Sequence, residues 1–201
     1  MIKNLFRIAI ATFGLTAAGM AQAVICQFIP TSGNWDVPAN WANCTGGNGI
    51  PANTPGPADR AEITGKTAIL PAGNFSVGDL YLGAAVIQGA GIGSTTLNVV
   101  AAGTIAWGSG SYTFNNLTVF FTSSVPIPAA NGPFTVDTAV VGLTAPLTTM
   151  SVDNLTITGT GALFKNAGIL NPSTSIVSTA GGEFHNEAGA AFTPVTPITI
   201  S

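Results

Sequence analysis

The feature that most constrains this chain is a short triplet, two apolar residues flanking one other residue, that recurs about every 20 residues. Alternation along an extended strand puts both apolar side chains on one face and the middle one on the other. The first residues are spaced 17, 20, 17, 21, 21 and 22 apart. Such a period with one short strand signal in each repeat predicts a β-solenoid. The triplets are Leu80-Tyr81-Leu82, Leu97-Asn98-Val99, Leu117-Thr118-Val119, Phe134-Thr135-Val136, Leu155-Thr156-Ile157, the weaker Ile176-Val177-Ser178, and Ile198-Thr199-Ile200.

A second recurrence has the same length. The stretch Phe164-Lys165-Asn166-Ala167-Gly168 matches residues 184–189, so that phenylalanine and asparagine each recur after one period. Residues one period apart in a solenoid lie one above the other. We therefore expect Phe164 to lie near Phe184. We also expect Asn166 and Asn186 to form a structural stack through their side-chain amides.

Two all-β folds are compatible with short strands of this kind. No window beyond about residue 60 shows the i, i+3, i+4, i+7 apolar spacing of an amphipathic helix. A parallel β-solenoid with three short strands and three corners in each coil fits the period. An antiparallel β-sandwich also predicts short strands between turn residues, at a spacing of about 8–12 residues. The drift of the spacing from 17 to 22 leaves the sandwich as the alternative.

Residues 1–23 have the three parts of a cleavable secretory signal peptide. Lys3 and Arg7 give a positive start, residues 8–20 are apolar and uncharged, and Ala21-Gln22-Ala23 is a small-x-small cleavage site. A membrane-spanning helix needs about 20 apolar residues, which is more than this stretch provides. The sequence therefore predicts a secreted or cell-surface protein whose mature chain begins at Val24.

Charged residues are scarce, at 6% of the chain against about 25% in an ordinary domain. From residue 24 onward three basic residues, Arg60, Lys66 and Lys165, stand against eight acids, which gives a formal net charge of −5. Nucleic-acid binding requires clustered Lys and Arg, so this distribution excludes it. Hydrophobic residues reach 46%, which also argues against a disordered chain. The polar surface must consist mainly of Thr, Ser, Asn and Gly, which suit strands and corners.

Residues 24–58 differ in composition from the rest, with two tryptophans, both cysteines and five prolines. An even pair of cysteines in an exported protein favours a disulfide, here between Cys26 and Cys44, and two free thiols are the alternative. We expect residues 24–58 to form an irregular, disulfide-stapled cap. The solenoid domain is then expected over residues 59–201, with its first strand near residues 61–63.

Several stretches resemble known bacterial proteins. The pattern Trp35-x5-Trp41, then Pro51, then Asp59-x-Ala61-x-Ile63 is similar to the start of large bacterial exported β-helix proteins. Residues 161–168 and 181–189 resemble coils of filamentous-haemagglutinin-like and autotransporter-like adhesins. The resemblance implies a right-handed parallel β-helix and a role in adhesion or cell-surface structure.

Four residues are candidates for contact with a carbohydrate or a cation. Asp59 and Asp79 are one period apart, so stacked coils would bring their carboxylates together. Trp107 and Tyr112 bracket the stretch 108–111, and exposed rings there would stack on sugars. The alternative interpretations are solvated corner positions for the two aspartates and core positions for the two rings.

No pattern in the sequence is typical of an enzyme. A Gly-x-Ser-x-Gly motif is absent, and the single histidine, His185, cannot complete a common metal site. Glu183 and Glu187 flank it, which we interpret as a charged outer face. We therefore predict a non-enzymatic structural or adhesive β-solenoid at the bacterial cell surface, without metal or cofactor. A polysaccharide-binding or polysaccharide-cleaving β-helix is the alternative.

The expected partner is a cell-surface or extracellular polysaccharide or protein. The chain ends at Ile198-Thr199-Ile200-Ser201, inside a predicted strand. A bare last coil exposes the hydrogen-bonding groups of a sheet edge, so solenoids need a polar cap. We therefore expect either a fragment of a longer protein, truncated at the C-terminus, or self-association through this C-terminal edge.

Overall fold

The computed structural model describes residues 24–100, 106–122, 127–144, 148–194 and 199–200, so the predicted signal peptide and Ile198 lie outside the described residues. This part contains twenty strands and one 3₁₀ turn, Pro38–Asn40, and no α-helix. The strands are β1 Ile25–Phe28, β2 Ser32–Asn34, β3 Trp41–Ala42, β4 Arg60–Thr64, β5 Thr67–Leu70, β6 Gly73–Val77, β7 Asp79–Gly83, β8 Val86–Gly89, β9 Thr95–Val99, β10 Ala106–Trp107, β11 Tyr112–Asn115, β12 Thr118–Phe121, β13 Ile127–Asp137, β14 Val140–Leu143, β15 Thr149–Thr158, β16 Leu163–Asn166, β17 Ile169–Thr179, β18 Glu183–Asn186, β19 Ala191–Phe192 and β20 Thr199–Ile200.

Three sheets form the walls of a solenoid. Sheet A has the order β10-β7-β4-β1-β3, and sheet C has the order β18-β16-β14-β12-β9-β6. Sheet B has the order β19-β17-β15-β13-β11-β8-β5-β2, and β20 also pairs with β17. The pairs between successive coils are parallel, and among the described strands only β1 with β3 is antiparallel. This confirms the predicted parallel β-solenoid and excludes the antiparallel sandwich.

Side chains alternate between the interior and the outer surface along each strand, as the triplets predict. One interior column runs the length of sheet C. Its four central members are fully buried, and the two end members are partly buried against the same core. The prediction that Phe164 lies beside Phe184 is confirmed, because these residues are register partners. The column consists of Phe75, Leu97, Val119, Val141, Phe164 and Phe184.

The triplets themselves do not form a single column. Leu80 lies in sheet A, Leu97 in sheet C and Phe134 in sheet B. Within sheet C the register partner of Leu97 is Val119, the last residue of its triplet, rather than Leu117, the first. The repeat length predicted from the triplets is therefore correct, but the triplets lie in different sheets and not one above the other. Inward and outward side chains alternate in the same way in all three sheets, so alternation alone does not show which sheet a strand joins. The length of each corner decides this.

Glycines recur at one corner for a conformational reason. Gly161 and Gly181 precede β16 and β18 with φ values of 76° and 85°. Glycine adopts this left-handed region without the steric cost that a Cβ imposes. The shared glycine in these two coils therefore marks the same turn between sheets B and C.

The first coil begins earlier than the composition indicates. The sequence predicts an irregular segment over residues 24–58, but β1 already pairs in parallel with β4, and β2 with β5. The irregular part is the insertion between β2 and β4, which contains the 3₁₀ turn and β3. Both tryptophans and four of the five prolines of residues 24–58 lie in this insertion, so the composition of the whole segment does not reveal the two short strands that precede it.

The predicted disulfide between Cys26 and Cys44 is present, and it closes the N-terminal end of the core. Cys26 is an interior residue of β1, in register with Ala61 of β4. The rings of Trp35 and Trp41 meet edge to face with centroids 4.8 Å apart. The indole nitrogen of Trp41 donates to the backbone carbonyl of Trp35 at 2.7 Å. These contacts cover the apolar end of the solenoid and explain why both tryptophans lie in this segment.

Candidate ligand-binding surface

Asp59 is a buried structural residue, only 2% exposed. Its Oδ2 accepts hydrogen bonds from the backbone N–H groups of Asn48 (2.8 Å) and Gly56 (3.0 Å). Its Oδ1 accepts one from the backbone N–H of Val24 at 3.2 Å. The carboxylate thus joins the N-terminal insertion to the first coil. Because it is buried, little of its surface is accessible to a ligand.

Asp79 does not stack on Asp59 as the sequence spacing predicts. In the parallel register of β4 and β7, the residue opposite Asp79 is Arg60, one position beyond Asp59. Asp59 and Asp79 are in contact through the backbone, where the Asp79 N–H donates to the Asp59 carbonyl at 2.9 Å. A shift of one residue reverses the face to which a strand side chain points. A stacked carboxylate pair is therefore not formed.

Trp107 and Tyr112 lie in the core. Trp107 is 6% exposed and Tyr112 is fully buried, with ring centroids 5.0 Å apart. The Tyr112 hydroxyl donates to the Gly108 carbonyl. Burial, and secondarily the nearby phenol of Tyr81, raises the pKa of Tyr112 above its ordinary value. Neither ring offers a face to a sugar, so the stacking interpretation fails and the core interpretation holds.

The asparagine stack is present at the corner after β16 and β18. The Asn166 amide donates to Oδ1 of Asn186 at 2.7 Å and to the Ala191 carbonyl at 2.9 Å. Its own Oδ1 accepts the backbone N–H of Gly168 at 3.1 Å. Asn166 is fully buried and thus satisfies three groups at a corner from which water is largely excluded.

Several other acids are engaged by neighbouring side chains. Asp137 accepts from the Asn115 amide at 2.8 Å, and Asp153 accepts from the Ser173 hydroxyl at 3.0 Å. Glu183 contacts the His185 ring at 2.8 Å, and both side chains are exposed. This agrees with the interpretation of the β18 charges as an outer face.

Two shallow clefts lie near the N-terminal end. One of about 290 Å³ lies between the insertion loop at Asn48–Ile50 and strand β6 at Asn74–Ser76. The other, of about 190 Å³, lies between Gln27 and Lys66. Within the described ranges no group of three or more His, Cys, Asp or Glu residues could hold a metal ion. The same residues include no helix with the length and apolar character needed to cross a bilayer.

The most regular surface is the outer side of sheet B, which we call the outer B face. Two columns of outward residues run in register over seven stacked strands, from β2 to β17. At a strand spacing of about 4.8 Å, seven strands span roughly 29 Å. The first column is Ser32, Thr67, Val86, Thr113, Thr135, Thr156 and Val177, and the second is Asn34, Ile69, Gln88, Asn115, Asp137, Thr158 and Thr179.

This face presents small hydroxyl, amide and methyl groups. Asp137 is the one charged residue in the two columns. Neighbouring members bond along the solenoid axis, as when the Thr179 hydroxyl donates to Thr158 at 3.0 Å. Such bonds fix side-chain rotamers and leave an ordered, almost uncharged array.

The sequence contains a signal for the outer B face that involves neither acids nor aromatic residues. The central threonines of two triplets, Thr135 and Thr156, are one period apart and are register partners. Thr113 continues the column in β11. The middle residues of the three triplets in sheet B, Thr135, Thr156 and Val177, rather than their apolar neighbours, identify this surface.

Charge concentrates elsewhere, on the outer side of sheet A. Arg60 Nε lies 3.2 Å from a carboxylate oxygen of Glu62, and Cζ of Arg60 lies 5.1 Å from the centroid of the half-buried Tyr81 ring. Gln27 donates to the second oxygen of Glu62 at 3.2 Å. We call these residues, with Asp79, the sheet A charged cluster.

Comparison of the chain with protein-family models, with curated proteins and with solved structures finds no match. Function must therefore be inferred from the geometry and chemistry of these two surfaces.

Proposed function

We propose that this protein is an exported, non-enzymatic adhesive β-solenoid of a bacterial cell surface, and that it binds an extended polysaccharide along the outer B face. The observation that carries the proposal is the pair of continuous, in-register columns over seven strands. A regular array of this length suits a ligand that is itself long and repetitive.

The chemistry of the array supports a neutral, hydroxyl-rich ligand. Threonine hydroxyls donate and accept, and the amides of Asn34, Gln88 and Asn115 do both as well. A sugar chain offers the same two functions along its length. Each hydrogen bond contributes only about 0.5–1.5 kcal/mol net. Affinity would therefore come from many weak contacts in parallel, as expected for an adhesive surface.

The state of the acids supports a non-catalytic role. Acid/base catalysis needs carboxylates that are free to exchange protons with a substrate. Asp59 is buried under three backbone donors, and Asp137 and Asp153 hold neighbouring polar side chains. These three acids therefore stabilise the fold through the groups that they bind.

The proposal is tested by removing hydroxyls without changing shape. The triple variant Thr113→Val, Thr135→Val and Thr156→Val keeps the β-branched surface and deletes three donors. Co-sedimentation with insoluble cellulose, chitin and peptidoglycan measures binding. We expect the wild type to be retained on at least one of these polymers and the triple variant to bind about tenfold or more weakly.

A matched control lies on another face. Thr96→Val with Ser76→Ala changes outward residues of sheet C and should leave binding unchanged. Failure of the wild type to bind any of the polymers, or equal weakening by the control, would contradict the assignment to the outer B face.

A polysaccharide-cleaving solenoid is the second candidate, favoured by the sheet A charged cluster. Glu62 lies beside a guanidinium and a half-buried tyrosine ring, and Asp79 is the register neighbour of Arg60. Sustained release of oligosaccharides, lost in both Glu62→Gln and Asp79→Asn, would establish this candidate and overturn the non-enzymatic one.

A further inference from the structure

Asp59 is a buried carboxylate whose described partners include no cation. Its three hydrogen bonds come from neutral backbone N–H groups. The nearest basic residue in sequence, Arg60, directs its guanidinium to Glu62. Burying a charge is costly unless it is both hydrogen-bonded and paired. Within the described residues, the site therefore has the hydrogen bonds that a carboxylate needs and lacks the counter-charge.

Val24 supplies one of the three backbone N–H groups that bind this carboxylate. Its nitrogen lies 3.2 Å from Oδ1 of Asp59, and its carbonyl accepts the backbone N–H of Arg60 at 2.8 Å. Its side chain is partly buried and packs against the core. Val24 is thus held at its nitrogen, its carbonyl and its side chain.

The sequence places the predicted cleavage site immediately before this nitrogen, after Ala23. We propose that removal of residues 1–23 creates an α-ammonium group on Val24 that forms a buried ion pair with Asp59. This ion pair stabilises the packing of the N-terminal insertion against the first coil. The pairing does not depend on which ligand the outer B face binds.

The step balances with water as the co-reactant and a signal-cleaving peptidase as the catalyst. Water attacks the carbonyl carbon of Ala23, and the bond from this carbon to the Val24 nitrogen breaks. Ala23 leaves as a carboxylate, and the Val24 nitrogen becomes an amine that takes up a proton. A neutral N–H···O⁻ hydrogen bond is thereby replaced by an ammonium–carboxylate pair, which is the stronger type.

The test compares three N-termini in otherwise identical protein. The first version starts at Val24 with a free amine, the second retains Gln22 and Ala23, and the third starts at Val24 and is acetylated on its α-nitrogen. Each is made with Asp59 and with Asp59→Asn, and unfolding by denaturant is followed as a function of pH. Below the ordinary α-amino pKa, the unfolding equilibrium constant of the free-amine protein should be lower than those of the other two, by about tenfold for each unit by which folding raises the α-amino pKa.

The pH dependence separates this pairing from a general benefit of a short N-terminus. A group whose pKa is raised on folding stabilises fully below its ordinary pKa and loses its effect as the pH rises through the raised value. The charged side chains on the elements packed against Val24 are Asp59, Arg60, Glu62 and Asp79. We expect the advantage of the free amine to be present near pH ~6 and absent near pH ~10.5.

In Asp59→Asn the three N-termini should become equal. An advantage that persists in Asp59→Asn, or one that is the same at both pH values, would overturn the proposal. Should Asp59→Asn fail to fold, the comparison of free and acetylated wild type across pH still decides, because it requires no substitution.

Discussion

Phe164 and Phe184 are register partners on neighbouring strands, with ring centroids 6.1 Å apart and ring planes 22° from parallel. Phe134 lies on the other side of Phe164 at 6.4 Å, and Phe192 contacts Phe184 at 5.7 Å. Rings from successive coils therefore meet in the interior. Such pairs add to the free energy gained from burying their area.

Replacing Phe164 by Ala should be strongly destabilising. The side chain is fully buried, and its removal leaves a cavity in the middle of the stack. We expect a loss of about 3–5 kcal/mol in the free energy of unfolding, measured by denaturant titration. Phe184→Ala is the control and should cost less, because Phe184 is only partly buried. Equal losses would contradict the explanation by burial.

Asn166→Ala should cost more than Asn186→Ala. The first variant leaves the buried Gly168 N–H without its side-chain acceptor and removes a hydrogen bond to the Ala191 carbonyl. Each buried group left unsatisfied costs about 1–3 kcal/mol. Asn186 is exposed, so water replaces its bonds. Denaturant titration of both variants measures the difference, and a larger effect at Asn186 would contradict this account.

Loss of the disulfide should destabilise the N-terminal end first. The bridge joins residues 18 apart in sequence, a loop length for which the chain-entropy model gives about 3 kcal/mol. We expect the Cys26→Ala, Cys44→Ala double variant to unfold at lower denaturant than the wild type. Amide exchange should rise in β1 and β3 before the other strands. Uniform exchange across all strands would show that the cap does not act locally.

Because the phenol of Tyr112 is buried, we expect the protein to lose stability at alkaline pH. Burial of Tyr112 raises its pKa above the ordinary value of 10.0. The neutral form is thus favoured by folding, and its contribution is present below about pH 10 and lost as the pH rises through the raised value. Denaturant titrations should show a fall in unfolding free energy above about pH 10 that is smaller in Tyr112→Phe. An unchanged fall in Tyr112→Phe would assign it to another group.

The fold follows from local patterns because one coil resembles the next. Phe164 and Asn166 could be placed over Phe184 and Asn186 because the coil between them has the predicted period and pairs without a register shift. Asp59 and Asp79 have the same spacing in sequence, yet the register sets Asp79 opposite Arg60. A solenoid tolerates such variation at its corners, so an average period cannot fix the register of any one pair.

The candidate surfaces were harder to predict than the core. An interior triplet is recognised by its apolar residues, as in Phe134-Thr135-Val136. Whether an aromatic residue such as Trp107 faces inward depends on the register of its strand with the neighbouring coil, which the sequence alone does not give. A column of outward residues can be recognised only when the register between the paired strands is known.

The contacts at the N-terminal end also affect how the solenoid responds to tension. Hydrogen bonds between strands are aligned with the long axis, so tension between the two ends loads all three walls at every level. The Cys26–Cys44 bridge and the Trp35–Trp41 contacts hold β1 to the insertion that follows β2, so we expect the N-terminal coil to separate from its neighbour at a higher force than a described coil without such contacts.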